Sequence, residues 1–175
     1  MPGLDDAIRR VVAATLASGR RHGGDGLRYA WHGKEYVGAA HGYAGILYLL
    51  LKAGCRDPAL RALADRLRDL ETCEGNWPAT LPDARAKLVH FCHGVAGNGY
   101  ALLAAFRLSR DPMWLHRAVV FGTCIGDDGV CARQRTPDNP FSLFEGLAGS
   151  ACFLRDLRES RFFCEGLPLY EVEVG

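Results

Sequence analysis

The amino-acid sequence predicts an all-α fold, an α/α toroid in which inner and outer helices alternate. Two observations support this class: a glycine-rich motif recurs at a fixed interval, and apolar helical runs follow each copy. The composition permits a packed domain, because 49% of the 175 residues are hydrophobic and the 8 prolines are too few for a disordered chain. No stretch reads convincingly as a strand.

The recurring motif is Gly-x-x-Gly. It stands in AHGYAGILYLLL from Ala40, in CHGVAGNGYALL from Cys92 and in FEGLAGSACFLR from Phe144, each 52 residues after the one before. One such motif is weak evidence, but three in phase indicate an internal repeat. We therefore predict one domain over residues 1–175, with repeats near 40–91, 92–143 and 144–175 after an N-terminal helix and linker over residues 1–28.

The helices differ in their apolar patterns. The runs after the glycines are apolar almost all round, which predicts inner helices buried on both sides. Outer helices are predicted from RDPALRALADRLRDLE at Arg56 and RDPMWLHRAVVFGTC at Arg110, where Asp caps the helix and Pro occupies its first turn. Near the N-terminus, helical spacing favours an amphipathic surface helix over a signal core, through Ile8, Val11, Val12, Thr15 and Leu16.

Charge and length exclude several classes of function. Lys and Arg total 21 against 20 Asp and Glu, so there is no electrostatic case for nucleic acid or an acidic membrane surface. No apolar run approaches the roughly 20 residues that a membrane-spanning helix needs. Seven cysteines without a CxxC pair predict mostly reduced thiols and a cytoplasmic protein. Two long segments, Glu71–Lys87 and Gly126–Ser142, are predicted to be functional loops.

The repeat phase also places polar residues. His41, His93 and Glu145 each precede the first glycine of a motif, and Cys92 lies one residue earlier than His93. If the inner helices run alike, these side chains meet at one end of the toroid. Cys92 then lies near a helix N-terminus, an environment that lowers the pKa of a thiol and favours anions.

Several stretches in order closely resemble the C-terminal half of the eukaryotic LanC-like proteins, relatives of the bacterial lanthionine synthetase cyclases. They are EYVGAAHGYAGI, LVHFCHG, CHGVAGNGYALL and RTPDNPFSLFEGLAG, and the resemblance runs from about Tyr29 to the C-terminus. It implies a double α/α barrel of seven helical hairpins. Zinc would be held there by two cysteines and a histidine, leaving a fourth position open for a substrate thiol, an arrangement typical of catalytic zinc.

The resemblance implies glutathione as the thiol and dehydroamino acids in peptides or proteins as its acceptors, with a thioether as product. Cys92 and His93 match the adjacent zinc ligands, and His41 matches the histidine that protonates the enolate. Arg135 matches an arginine that contacts the glutathione carboxylate. The family analogy adds peripheral association with the plasma membrane to the predicted cytoplasmic location.

The sequence departs from the family pattern at the Cys-His-Gly motif. The family carries two such motifs, whereas here one motif has the lead-in of the first and the continuation of the second, as if one internal hairpin were missing. One cysteine ligand goes with it. A third ligand would come from elsewhere, and none of the candidates has ligand spacing: His41, Cys55, Cys73, Cys124, Cys131, Cys152 and Cys164.

Three functions stay open at this level. The first is an enzyme for zinc-assisted thiol addition. The second is a non-catalytic scaffold that binds glutathione or a protein through an incomplete zinc site. The third, an α/α-toroid glycosidase or prenyltransferase-like subunit, is weaker because a glycosidase needs two carboxylates across its cleft and only Glu145 is well placed. About three hairpins cannot close a seven-hairpin ring, so an open barrel predicts exposed apolar flanks or a homodimer.

Overall fold

The computed structural model describes residues 2–21, 26–70, 76–82 and 89–159. The all-α class is confirmed within these ranges, since helices dominate and the strands have two residues each. In chain order the elements are α1 (Pro2–Arg21), β1 (Glu35–Tyr36), α2 (Tyr43–Lys52), α3 (Ala59–Asp69), β2 (Thr80–Leu81), α4 (Val95–Ser109), α5 (Pro112–Ile125), α6 (Asp128–Ala132) and α7 (Leu147–Glu159).

The repeat is visible in the order and packing of the helices. The inner helices α2, α4 and α7 begin at Tyr43, Val95 and Leu147, at the same 52-residue interval as the glycine motifs. Helix α4 packs between α2 and α7, while α3 lies against α2 and α5 against both α4 and α7. The result is an inner row of three helices with outer helices behind it.

The second glycine of each motif is required by a close backbone approach. A Cβ at Gly45, Gly97 or Gly149 would overlap the carbonyl oxygen six residues earlier. In the third repeat that carbonyl belongs to Leu143. The loop before each inner helix therefore folds tightly over the first helical turn, which fixes the positions of the residues between them.

The predicted burial of the inner helices on both sides is confirmed for α4 but not for α2 and α7. Residues 95–105 of α4 are all buried. Leu49 of α2 is 50% exposed and Leu147 of α7 is 55% exposed, so the two ends of the row keep an apolar flank open. The prediction is wrong for α2 and α7 because only the middle helix of the described row has an inner helix on each side.

The outer helices follow their capping signals. The side chain of Asp111 caps α5 by accepting a hydrogen bond from the Met113 N–H at 3.0 Å, with Pro112 in the first turn, as predicted. In α3 the Asp57 side chain accepts from the Ala59 N–H at 2.9 Å. The predicted place of the proline is wrong for α3, because Pro58 is the N-cap and Ala59 is the first helical residue. The leucines at helical spacing in this segment form the packed side of α3: Leu60, Leu63 and Leu67 are buried, and Leu70 at its C-terminal end is partly buried.

Two sequence predictions are corrected by local structure. Strands were not expected, but β1 and β2 pair antiparallel, with Glu35 opposite Leu81 and Tyr36 opposite Thr80. The predicted loop over residues 126–142 contains α6, which Asp127 caps by accepting from the Val130 N–H at 2.9 Å.

The predicted N-terminal surface helix is confirmed as α1. Across the described ranges, no helix combines the length and apolarity that crossing a bilayer requires.

Candidate functional site

Three loops lie side by side at the N-terminal ends of the inner helices. The Ala40 N–H donates to the Cys92 carbonyl at 2.8 Å, and the Cys92 N–H donates to the Phe144 carbonyl at 2.8 Å. These three residues share one repeat position, so the backbone bonds hold the repeats in register. The predicted common rim is confirmed, and the side chains on it are set by the repeat.

The two histidines of the rim are in direct contact. His41 Nε2 and His93 Nε2 are 2.9 Å apart, a hydrogen-bonding distance, and the ring centroids are 4.4 Å apart. One ring must donate and the other accept, because a neutral imidazole carries a single N–H. The His41 side is open to solvent, while His93 is half-buried. This arrangement connects a solvent-facing imidazole to a more enclosed one.

The thiol residue Cys92 and its neighbour His93 share one small cavity. Cys92 is buried, with 8% of its surface exposed, and lines a cavity of about 120 Å³. The remaining lining residues are His93, Arg135, Pro137, Asp138 and Glu145. Pockets that enclose a whole small molecule measure about 300 to 1,000 Å³. At about 120 Å³ this cavity can enclose only part of such a molecule.

The expected thiolate at Cys92 is corrected by its surroundings. Burial raises the pKa of the thiol, and the nearby Glu145 carboxylate raises it further. The backbone N–H of His93 and the guanidinium of Arg135 lower the pKa of the thiol, but by less than burial and Glu145 raise it. Burial also lowers the pKa of His93, assisted by the positive charge that His41 can carry. The protein alone thus favours a neutral thiol beside a neutral imidazole.

Arg135 is brought to the rim by the segment after α6. Its guanidinium donates to Asp138 at 2.9 Å, and the two side chains are 66% and 74% exposed. An exposed ion pair of this kind contributes at most about 1 kcal/mol, so Arg135 can exchange or share its partner. Glu145 is held separately, accepting from Asn139 at 3.2 Å. Arg135, which the repeat phase did not place, therefore joins the same cavity as Cys92 and His93.

Sequence reasoning missed two aromatic residues at the site. The Tyr36 ring centroid is 4.7 Å and the Trp31 ring centroid 5.3 Å from that of His41. We call Trp31 and Tyr36 the aromatic wall. The signal available in the sequence was a tryptophan and a tyrosine shortly before the motif histidine, but their contact with His41 depends on how the chain turns.

The donor set does not complete a three-ligand zinc site in the described ranges. Cys92 and His93 offer a thiol and an imidazole, which are suitable zinc ligands. Among the described residues, however, no three His, Cys, Asp or Glu side chains are grouped closely enough to hold a metal. None of the other described cysteines lines the rim cavity: Cys55, Cys124, Cys131 and Cys152. Cys73 and Cys164 fall outside the described residues. The described residues therefore supply only two of the three protein ligands that a catalytic zinc site needs.

The fold and the rim define a class: a helical-repeat protein with an adjacent Cys-His pair at the N-terminal ends of its inner helices. The sequence profile of the lanthionine synthetase C-like proteins matches residues 2–90 and 83–162. Together these matches cover most of the chain. The chain therefore belongs to the lanthionine synthetase C-like family.

Two curated relatives are eukaryotic. A zebrafish (Danio rerio) protein named glutathione S-transferase LANCL1 is 34% identical over 191 residues, covering 75% of this chain and 45% of the relative. The LanC-like protein GCL1 of Arabidopsis thaliana is 29% identical over 211 residues, covering 87% of this chain and 48% of the relative. The chain thus spans about half the length of the curated relatives it matches.

The alignments also bear on the single Cys-His-Gly motif, which combines the lead-in of one family motif with the continuation of the other. The zebrafish alignment is 191 positions long but covers 75% of this chain, about 131 residues, so this chain has a gap at about 60 of the positions. The Arabidopsis alignment is 211 positions long and covers 87% of this chain, about 152 residues, so this chain has a gap at about 59 of them. The two profile matches meet at residues 83–90, directly before Cys92. These findings agree with an internal segment absent before the motif.

Proposed function

We propose that this chain binds a thiol of the glutathione class at the rim and adds its sulfur to a dehydroamino acid, forming a thioether. The observation that carries the proposal is the grouping of Cys92, His93 and Arg135 around one cavity, with His41 hydrogen-bonded to His93. The name of the zebrafish relative, glutathione S-transferase, supports the choice of thiol.

Arg135 would hold a carboxylate of the thiol substrate. A guanidinium has five N–H donors in a planar fork, so it can keep Asp138 and still bind a second carboxylate. The cavity admits one end of the tripeptide, and the rest would extend along the exposed loop that carries Arg135. Asp138 and Glu145 place negative charge beside an anionic ligand, so we expect modest affinity.

The addition forms one new σ bond and needs two proton transfers. The sulfur bonds to the β-carbon of the dehydroamino acid as the carbon–carbon π bond breaks. The thiol proton passes to solvent and the α-carbon takes one proton in turn, so the product has the combined composition of the two reactants. His41 is suited to deliver the proton, because its ring faces solvent and its orientation is fixed by His93 and the aromatic wall.

Zinc binding stays a prediction. When bound, zinc holds a substrate thiol as thiolate, and Cys92 and His93 would be its ligands from the rim. Metal analysis of the purified chain tests this. We expect zinc in the wild type and its loss in Cys92→Ala, whereas less than about a tenth of an equivalent in both would remove zinc from the proposal.

The central experiment combines glutathione with a peptide that contains dehydroalanine and follows the thioether by mass spectrometry. We expect product with the wild type, at least about a hundredfold less with His41→Ala, and a reduced response to glutathione concentration with Arg135→Ala. Arg158→Ala is the matched control, because Arg158 is an exposed arginine on α7. Product formation no faster than without protein would overturn the catalytic proposal.

The second candidate is a non-catalytic scaffold that binds glutathione. It is favoured by the absence of a three-donor metal group in the described part of the chain and by the raised pKa of Cys92. It predicts glutathione binding that chelators do not change and that Arg135→Ala weakens. Chelator-sensitive binding, measured by calorimetry, would contradict it.

A further inference from the structure

The aromatic wall beside His41 is held rigidly although much of it faces solvent. Trp31 is 55% exposed, whereas Trp77 and Trp114 are 1% and 7% exposed. An exposed tryptophan contributes little to a core, and aromatic residues with one open face are typical of binding surfaces. Packing in the core therefore does not explain why Trp31 is held at this exposed position.

The backbone around Trp31 is built as a tight hairpin. The Trp31 N–H donates to the Lys34 carbonyl at 2.9 Å, and the Lys34 N–H donates back at 3.1 Å. The two residues between them, His32 and Gly33, have φ of 50° and 72°. When both residues of a two-residue hairpin loop are left-handed, the turn matches the twist of the flanking strands.

The next residues anchor this hairpin to the body of the protein. Glu35 accepts from Arg66 at 2.7 Å and from the Tyr43 hydroxyl at 2.5 Å. Tyr36 is paired with Thr80 across the two strands. The Trp31 ring then lies 5.8 Å from Tyr36 and 5.3 Å from His41, measured between centroids. Trp31 is thus fixed at an open edge of the rim.

The wall and the thiol cavity touch different members of the histidine pair, the wall His41 and the cavity His93. The cavity is lined by His93 but by neither His41 nor the wall. A thiol bound at Arg135 would therefore approach from one side, and the acceptor of the addition would lie on the His41 side. This separation assigns the open aromatic surface to the electrophile.

We infer that Trp31 and Tyr36 bind the apolar side chain that neighbours the dehydroamino acid in the acceptor peptide. The inference rests on the proposed function for the identity of the acceptor. A peptide that presents its α-carbon to His41 lays the adjacent residue on the wall, because both rings of the wall contact His41. The wall then makes the site select peptides with an aromatic or large aliphatic neighbour over those with a small polar one.

A binding experiment tests the wall without requiring catalysis. The probes are two unreactive peptides in which alanine replaces the dehydroamino acid, flanked either by phenylalanine or by serine. Trp31 is the exposed tryptophan of the three, so iodide quenching of fluorescence reports on it. We expect the phenylalanine peptide to protect Trp31 from iodide and the serine peptide to leave quenching unchanged.

Substitutions give the second readout. Trp31→Ala should lower the affinity for the phenylalanine peptide, measured by calorimetry, at least about tenfold. Trp31→Phe should keep most of that affinity, because the contact is apolar and aromatic. Val119→Ala, at an exposed apolar position on α5, should leave the affinity for the phenylalanine peptide unchanged. Equal affinity for both peptides, or no effect of Trp31→Ala, overturns the inference.

The outcome is separable from that of the proposed function. Glutathione binding should be the same in Trp31→Ala and the wild type, since the thiol cavity does not include the wall. If the enzyme assay gives no thioether but the peptide preference is found, the wall is a peptide-binding surface and the catalytic proposal fails. If thioether forms at equal rates from both flanking sequences, the inference about the wall fails alone.

Discussion

Helices α4 and α7 carry the same repeat but differ in burial. Leu102 of α4 is 2% exposed, while Leu154, its equivalent 52 residues later, is 39% exposed. Val95 at the start of α4 is fully buried, and its equivalent Leu147 is 55% exposed. The motif therefore sets which residues lie at a given place on the helix, and the position in the row decides whether those residues are covered.

The largest effect that would test this comparison is the loss of a buried leucine. Leu102→Ala should lower the free energy of unfolding by about 2 to 5 kcal/mol, because it leaves a cavity, whereas Leu154→Ala should cost less than about 1 kcal/mol. Urea unfolding of both variants measures the difference. Equal losses would show that Leu154 is as well packed as Leu102.

A second prediction concerns the contact between α4 and α7. A Cβ at Gly99 would overlap the Phe153 ring, so Gly99→Ala should destabilise the protein by about 1 to 3 kcal/mol despite the better helix propensity of alanine. The cost should nearly vanish in a Phe153→Leu background. Ala151, the equivalent of Gly99 on α7, is exposed, so Ala151→Leu should change stability by less than about 0.5 kcal/mol.

The start of α2 offers a third comparison. Tyr43, the equivalent of Val95 and Leu147, is fully buried and donates to Glu35 at 2.5 Å. Tyr43→Phe should cost about 1.5 kcal/mol, because Glu35 loses a hydrogen bond. Leu147→Ala, at the open end of the row, should cost less.

The same tyrosine gives a pH dependence with a definite sign. Burial and the bond to Glu35 raise the pKa of Tyr43 from 10.0 to about 12. The folded state therefore keeps a proton that the unfolded state loses, so this stabilisation is complete below pH 10 and disappears as the pH rises through 12. The stability advantage of the wild type over Tyr43→Phe should shrink across that interval. A constant difference would contradict the assignment.

The open flanks give the smallest predicted effect. Leu49 on one side and Leu147 on the other are repeat positions whose equivalents in α4 are buried, so we expect two copies to associate through these faces. Light scattering should give about 38 kDa, twice the 19.1 kDa chain, and Leu147→Glu should weaken association about tenfold. Val119→Glu on α5 is the control. A monomer at all concentrations would show that the flanks take no second copy.

Much of the fold could be predicted from the sequence because its signals are local or periodic. Gly45, Gly97 and Gly149 mark tight turns whose spacing alone reveals the repeat, and Asp111 with Pro112 marks a helix start. The short strands could not be predicted in this way. Glu35 and Leu81 are far apart in sequence, and two-residue strands carry no periodic signal.

The site shows the same division. The repeat phase predicted that His41 and His93 share a rim, because equivalent residues of stacked repeats occupy equivalent places. It gave no reason for Arg135 to join them, and there the family resemblance was needed. The aromatic wall escaped both arguments, since Trp31 reaches His41 through a hairpin whose turn sets its direction.

The sequence by itself determined the repeat, the alternation of inner and outer helices and the residues at each motif position, since these follow from side-chain periodicity and from glycines that only a close backbone approach explains. Tertiary structure decided what those residues experience. Helix ends alone predicted a lowered pKa for Cys92, but burial and the Glu145 carboxylate reverse that direction. Solvent access and charge at a point depend on every element packed around it, and no single stretch of sequence contains that sum.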